Sequence, residues 1–353
     1  MEPGGFSSRE DFALIRCDGG GAFGMGHLKR MLALARALRD GEGIAVSFAV
    51  NGTEDAAVSI RRAGFEARLF AAEGEFSILV KTRRPDLLIL DCRDSPSLAA
   101  AQIWRRDATL MAAIDDASDL RLACDFAYYP PLPQVTRLDW TGARTVPRIG
   151  WDYALPGVSP HPIPARAPGA RPTLLVTMGG SDPYHLTTRA ARLLAPLDTT
   201  FRIRFVIGGG MKDAGKVAAA IVAIKSIYET VEGADDLSTE YASADLALCA
   251  FGVTAVELAA FGVPAIYLGL TADHARSAAA FAAAGLGVSL GIADQVADAE
   301  ILGAVKALMT DPARRRDMRQ AGLATLDGGG AARIAADLAQ ALREEKNPVR
   351  AAR

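Results

Sequence analysis

Phe12-Ala13-Leu14-Ile15-Arg16-Cys17-Asp18-Gly19-Gly20-Gly21-Ala22-Phe23-Gly24-Met25-Gly26-His27-Leu28-Lys29-Arg30 is the stretch that decides the fold. An apolar run of strand length ends in a glycine-rich loop, which opens into a helix-patterned segment reaching Arg39. Glycines let a backbone turn tightly and approach a ligand closely. A helix start offers unpaired N–H groups and a partial positive charge. Strand, glycine loop and helix in that order make one step of a parallel α/β sheet, whose ligands gather at the carboxyl ends of the strands. His27 stands at the helix start, where a ring nitrogen can accept a proton near neutrality. A solvated first-turn histidine would give the same pattern. Gly19-x-Gly21-x-x-Gly24 also spells a dinucleotide fingerprint, but the next strand ends Val50-Asn51 with no acidic residue to close it.

The same step repeats outward from this loop. Further candidate strands are Ile44–Val50, Glu66–Phe70, Asp86–Asp91 and Thr109–Asp115, each followed by a turn or helix pattern. Prolines then crowd together at 156, 160, 162, 164, 168 and 172. Proline removes backbone donors and resists helix, so 156–172 reads as a linker. The alternation restarts with Thr173–Met178, Phe201–Ile207, Ser226–Val231, Asp245–Ala250 and Pro264–Leu268. The expected architecture is two Rossmann-like, doubly wound α/β domains, 11–155 and 173–330, facing one another across a cleft. Residues 331–353 supply a last helix and a basic tail.

Composition narrows the function. The 353 residues carry 39 Lys and Arg against 41 Asp and Glu, a net charge of −2, so no broad basic field awaits nucleic acid or acidic lipid. Cys17, Cys92, Cys124 and Cys249 are far apart with no Cys-x-x-Cys, which suits a reducing compartment. The first residues lack the form of a signal peptide. The longest uncharged stretch, Ser277 to Ala293, is broken by Gly285, Gly287 and Gly291 and reads as a helix then a strand. The expectation is a soluble, cytoplasmic monomer without nucleic-acid or membrane partners. There is no Asp-x-Asp and no cluster of His or Cys, so neither metal nor cofactor is expected.

Candidate site residues lie where strands end. Asp91, Asp115 and Asp116 close two first-block strands, and turn or cap chemistry would also explain an aspartate there. In the second block Met178-Gly179-Gly180-Ser181-Asp182-Pro183 is strand, glycines, cap residues and a proline at an expected first helical position. It reads either as an anion cradle or as a plain capped turn. Gly252-Val253-Thr254-Ala255-Val256-Glu257 starts a helix near Val253 with a carboxylate one turn in. That carboxylate could accept from a ribose diol or close a capping box with Thr254.

Together these segments resemble a known family. Arg16-x-Asp18, Gly24-Met25-Gly26-His27-Leu28-Lys29-Arg30, Ile114-Asp115-Asp116, Gly150-x-x-Tyr153-Ala154-Leu155, Gly179-Gly180-Ser181-Asp182-Pro183 and Gly252-x-Thr254-x-x-Glu257 are similar to the UDP-sugar hydrolases of the pseudaminic acid pathway. These enzymes cleave UDP-2,4-diacetamido-2,4,6-trideoxy-β-L-altropyranose. They are relatives of the spore-coat polysaccharide group and of the peptidoglycan N-acetylglucosaminyltransferase, with a GT-B fold. The resemblance implies a UDP-sugar substrate and UDP as product. It implies that His27 activates or positions water at the anomeric carbon and that the final helix crosses back to the first domain. Asp18, on the same loop as His27, is placed to orient the ring. Arg16, Gly24, Gly26, Lys29, Arg30, Asp116 and Tyr153 would hold the sugar. Gly179, Gly180, Ser181, Asp182, Gly252, Val253, Thr254, Glu257 and His274 would hold the nucleotide. The chain departs from the family pattern at Phe251, where glycine is usual, and at Asp273-His274-Ala275, where an acidic-Asn-Gln tripeptide is usual. These departures suggest that Phe251 presents its ring to the base and that His274 donates to it. The competing readings are a GT-B glycosyltransferase and a non-catalytic nucleotide-sugar-binding protein.

Overall fold

A computed structural model describes residues 10–158, 160, 170–197, 200–212, 214–224, 227–234 and 236–347. The first block runs β1 (Phe12–Gly19), α1 (Gly26–Arg36), β2 (Ala45–Gly52), α2 (Glu54–Arg62), β3 (Glu66–Leu69), α3 (Glu73–Arg83), β4 (Leu87–Asp91), α4 (Leu98–Arg105), β5 (Leu110–Ile114), β6 (Phe126–Tyr129) and β7 (Val146–Ile149). Its strands pair in parallel in the order β3-β2-β1-β4-β5-β6-β7. β4 and β5 are buried at every position, as strands covered by helices on both faces must be. β6 and β7 escaped the sequence reading because each is short, and β7 contains Pro147. Proline lacks the N–H a central strand needs, and β7 is the edge strand that tolerates it.

The second block runs β8 (Thr173–Thr177), α5 (Leu186–Leu194), β9 (Arg202–Ile207), α6 (Ala214–Val222), β10 (Tyr228–Glu232), α7 (Ser238–Ser243), β11 (Leu246–Ala250), α8 (Val253–Ala260), β12 (Ala265–Gly269), α9 (Ala272–Ala283) and β13 (Gly287–Ile292). The order is β10-β9-β8-β11-β12-β13, again parallel. α10 (Asp298–Thr310), α11 (Pro312–Thr325) and α12 (Gly330–Lys346) follow. Most of the proline-rich stretch, 161–169, and the tail from 348 lie outside the described residues.

α12 returns to the first block. Ile334, Leu338 and Leu342 are buried in one cluster with Leu28, Met31 and Leu34 of α1. The Asp337 carboxylate accepts from Tyr128 Oη at 2.8 Å and from Arg148 Nε at 2.9 Å. Lys346 Nζ lies 2.6 Å from both Asp11 and Asp86 carboxylates. Other apolar residues join the two blocks, with Leu90, Trp104 and Tyr129 in the same cluster as Leu175, Phe251 and Phe281. The blocks also meet where α1 and α8 begin: a Cβ added to Gly26 would stand 3.1 Å from Val253 Cγ2. Among the described residues no helix is long and apolar enough to cross a membrane.

Candidate active site

In both sheets β1 or β8 lies beside the strand where the order reverses, the place where open parallel sheets bind ligands. In the first sheet that crevice separates β1 from β4, and His27 stands over it. His27 Nδ1 is 2.7 Å from Oδ1 of Asp91, the last residue of β4. Asp91 is fully buried. Burial pushes its carboxyl up, but the charge of Arg30, then His27, outweighs this and leaves it lowered to about 2. An ionised carboxylate only accepts, so the 2.7 Å contact places the hydrogen on Nδ1, the 3.2 Å approach of Arg30 Nη2 to that nitrogen is then no hydrogen bond, and in the neutral ring Nε2 holds the lone pair. The ring is therefore oriented as a base. The Arg30 guanidinium is engaged by two carboxylates of its own domain. It donates to Asp91 from Nε at 2.7 Å and Nη2 at 2.6 Å, and to Asp115 from Nη1 at 2.9 Å. Its charge is what keeps Asp91 ionised in the interior.

Four sequence expectations are corrected here. Asp18 is not the partner of His27. It is buried and accepts from Asn51 Nδ2 at 3.1 Å and from the backbone N–H of Arg93 and Asp94 at 2.6 and 3.2 Å. It thus ties the loop after β4 to the ends of β1 and β2. Arg16 points away from the sugar side. Side chains alternate along a strand, so Arg16 shares the face of Leu14, while Ile15 and Cys17 share the face covered by α1. Arg16 pairs with Glu73 at 2.5 Å among the rings of Phe70, Phe76 and Trp104. Asp116 follows the turn alternative: it accepts from Ser118 N and Oγ and from Ser95 Oγ. Its neighbour Asp115, in the left-handed region with φ 55°, carries the carboxylate that meets Arg30. Tyr153 packs its ring 5.5 Å from that of Tyr128, beside α12.

The second block presents the uncapped start of α8 to this group. Gly252 precedes the helix with no side-chain cap, and no acidic residue occupies its first turn; the same holds for Met25 and α1. Two helix starts with unsatisfied N–H groups thus converge, and their partial positive charges add. Glu257 does not close a capping box. It is buried, and its Oε2 accepts from Tyr241 Oη at 2.7 Å. Burial pushes its carboxyl up, against the hydrogen bonds from Tyr241 and the Gly157 N–H and the charge of Lys29. Lys29, two residues beyond His27, therefore faces the second block. Gly157 fits only because it lacks a side chain, since a Cβ there would stand 2.7 Å from both Glu257 Oε1 and Lys29 Cβ.

The loop after β8 is half cradle and half cap. Gly179 has φ 85°, and side chains added at Gly179, Gly180, Gly252 or Gly24 would meet open space. Ser181 is half-buried beside them. Asp182 is buried and accepts from Leu186 N at 2.9 Å and Thr187 N at 2.8 Å, so it caps α5 instead of facing a ligand. α5 accordingly starts at Leu186, and Pro183 is not its first residue. Tyr241 Oη, on α7, ties that helix to Glu257 of α8. His274 lies at the start of α9 with its Nδ1 buried and unpartnered. Burial, then the charge of Arg93, pushes its imidazole down, which favours the neutral ring.

A cavity of about 540 Å³ opens on the far side of the first glycine loop, lined by Gly20, Phe23, Asn51, Thr53, Phe70 and Glu75 among others. Among the described residues no group of three or more His, Cys, Asp or Glu could hold a metal ion.

No family model matches the chain. It is 24% identical over 339 residues to the spore coat polysaccharide biosynthesis protein SpsG of Bacillus subtilis, covering 94% of this chain and 98% of that one. It is 26% identical over 377 residues to the UDP-N-acetylglucosamine–N-acetylmuramyl-(pentapeptide) pyrophosphoryl-undecaprenol N-acetylglucosamine transferase of Corynebacterium efficiens, covering 95% and 99%. Its fold matches the crystal structure of Acinetobacter baumannii MurG with a TM-score of 0.67 at 14% identity, covering 94% of this chain and 99% of that one. The architecture is GT-B, two Rossmann-like domains with the crevices of both sheets at a shared cleft. The matched proteins support the wider spore-coat and GT-B grouping that the motifs indicated.

Proposed function

We propose that this chain is a GT-B glycosyltransferase that uses a UDP-sugar donor. The observation that carries the proposal is the His27–Asp91 pair standing where the uncapped starts of α1 and α8 converge. The diphosphate lies on the start of α8, with the Gly179–Ser181 loop beside it and the start of α1 across the cleft on the sugar side. A ribose hydroxyl replaces the Gly157 N–H on Glu257. His27 Nε2 takes the proton of an acceptor hydroxyl as its oxygen attacks the anomeric carbon. The bond from that carbon to the diphosphate oxygen breaks, and UDP leaves with the electron pair. Lys29 offsets the charge developing there.

Two observations favour an organic acceptor over water. Full-length similarity extends to a named sugar transferase. The cavity of about 540 Å³ beside the first glycine loop is also large enough to seat an acceptor sugar. The narrower reading, hydrolysis of a UDP-2,4-diacetamido-2,4,6-trideoxy sugar in nonulosonate synthesis, is favoured by the run Gly24 to Arg30. One assay separates the two. UDP release is measured from UDP-N-acetylglucosamine and UDP-diacetamido sugars, with and without sugar acceptors, in ¹⁸O water. Transfer predicts release that requires an acceptor and leaves the products unlabelled. Hydrolysis predicts acceptor-independent release with label on the sugar. No release from any donor would defeat both.

A further inference from the structure

Phe251, where the family pattern has glycine, does not turn its ring towards a nucleotide base. It is 7% exposed and packed among aromatic side chains. Its ring stands 5.0 Å from Phe281 at 86° and 5.6 Å from Tyr267 at 81°. Phe281, on α9, stands in turn 5.0 Å from Trp151 at 85°. These are edge-to-face contacts in the favourable range of separations. Trp151 follows β7 in the first domain, in the short turn Trp151–Tyr153 that packs beneath α12. The rings therefore form a ladder from the first domain, through α9, to the end of β11. Phe251 is the last rung, and the next residue, Gly252, is the one from which α8 starts. A second tie runs alongside, Gln134 Nε2 donating to Ser277 Oγ of α9 at 2.7 Å.

We infer that Phe251 is a positioning residue: through the ladder to Trp151 it sets the start of α8 against the His27 base of the opposite domain. This rests on the proposed function, in which the start of α8 carries the diphosphate. Packed interiors transmit displacement because they hold few voids. Donor and acceptor atoms must stand about 3–3.5 Å apart to react, and an error of about 1 Å can cost about 100-fold in rate. Glycine at 251 would remove the rung, so the ring acts here as a tie between domains.

The test uses the full chain with Phe251→Leu, Trp151→Leu, the pair together, and Trp151→Phe as the variant that keeps a ring. The two leucine variants should each lower kcat at saturating donor by roughly tenfold, with UDP affinity by calorimetry unchanged within about twofold. The pair should be no slower than either alone, because both break one ladder. Trp151→Phe should keep most of the rate. Multiplying losses in the pair, or a changed UDP affinity in Phe251→Leu alone, would overturn the ladder in favour of a direct contact with the nucleotide. If the unaltered protein binds no UDP, the nucleotide reading fails, and small-angle scattering then judges the ladder separately. Both leucine variants should widen the domain arrangement and raise the radius of gyration while melting cooperatively. Unchanged scattering would overturn the proposal.

Discussion

At His27 the direction of the proton is set from behind, by Asp91. Asparagine in place of Asp91 would be nearly the same size, but it could donate to Nδ1 and favour the tautomer whose Nε2 carries the hydrogen. It would also remove half of the countercharge on buried Arg30. Asp91→Asn should therefore lower kcat by about 10²–10⁴, the range of lost general-base catalysis, with UDP affinity close to that of the unaltered chain. Steady-state kinetics beside calorimetry checks this; normal turnover would remove His27 from the role of base. The histidine was legible in the sequence because a glycine loop leads into it. Its partner was not. Asp91 could be seen to end a strand, but pairing it with His27 requires knowing that β4 lies next to β1. Linear alternation does not reveal strand order. The choice between Asp115 and Asp116 was equally hidden, since it turns on one left-handed residue.

Helix starts sort the second-domain elements into two kinds. α5 begins under the Asp182 carboxylate, whereas α8 begins with open backbone and open space around Gly252. Asp182→Ala should lower stability by about 1 kcal/mol, the usual value of a cap, and leave UDP affinity nearly unchanged. Gly252→Asp should do the opposite. Its extended φ of 172° accepts any residue, and the new carboxylate would cap α8, holding stability level or raising it by a few tenths of a kcal/mol. The same negative charge would occupy the diphosphate position, so UDP affinity should fall at least about tenfold, with Gly252→Asn falling less. Thermal melts and calorimetry on the three variants would show the contrast; a loss of UDP affinity in Asp182→Ala instead would put the anion on the wrong loop. Sequence alone could not separate these helices. Both follow glycines and both carry cap-type residues, and only the backbone path shows which amides are already taken.

The two-sheet plan was the most legible feature of the whole molecule, because each strand is a continuous apolar run between helix patterns. That α12 closes the first domain was expected from the family resemblance alone, since α12 is separated in sequence from everything it covers, and is borne out. Ile334, Leu338 and Leu342 are all 0% exposed. At about 1.5–3 kcal/mol for each buried side chain, their loss rivals the whole stability of a typical domain, about 5–15 kcal/mol. A chain ending at residue 329 should therefore lose the cooperative melt of its first domain and bind a hydrophobic dye, and circular dichroism with dye fluorescence would check this; a native-like melt would refute it. The return of α12 also imposes an order on biosynthesis. The ribosome makes the first sheet early, but the helix that seals it emerges only after the whole second block. At about 5–20 residues per second, roughly 10–40 s pass while the second sheet and its helices are made. During that interval the face beneath α12 is bare on the nascent chain. The second domain can settle first, although it is encoded later, and the histidine-bearing domain becomes complete only after α12 has been made. Premature termination at any point before that helix therefore leaves the histidine-bearing domain unsealed, whatever the second domain has achieved.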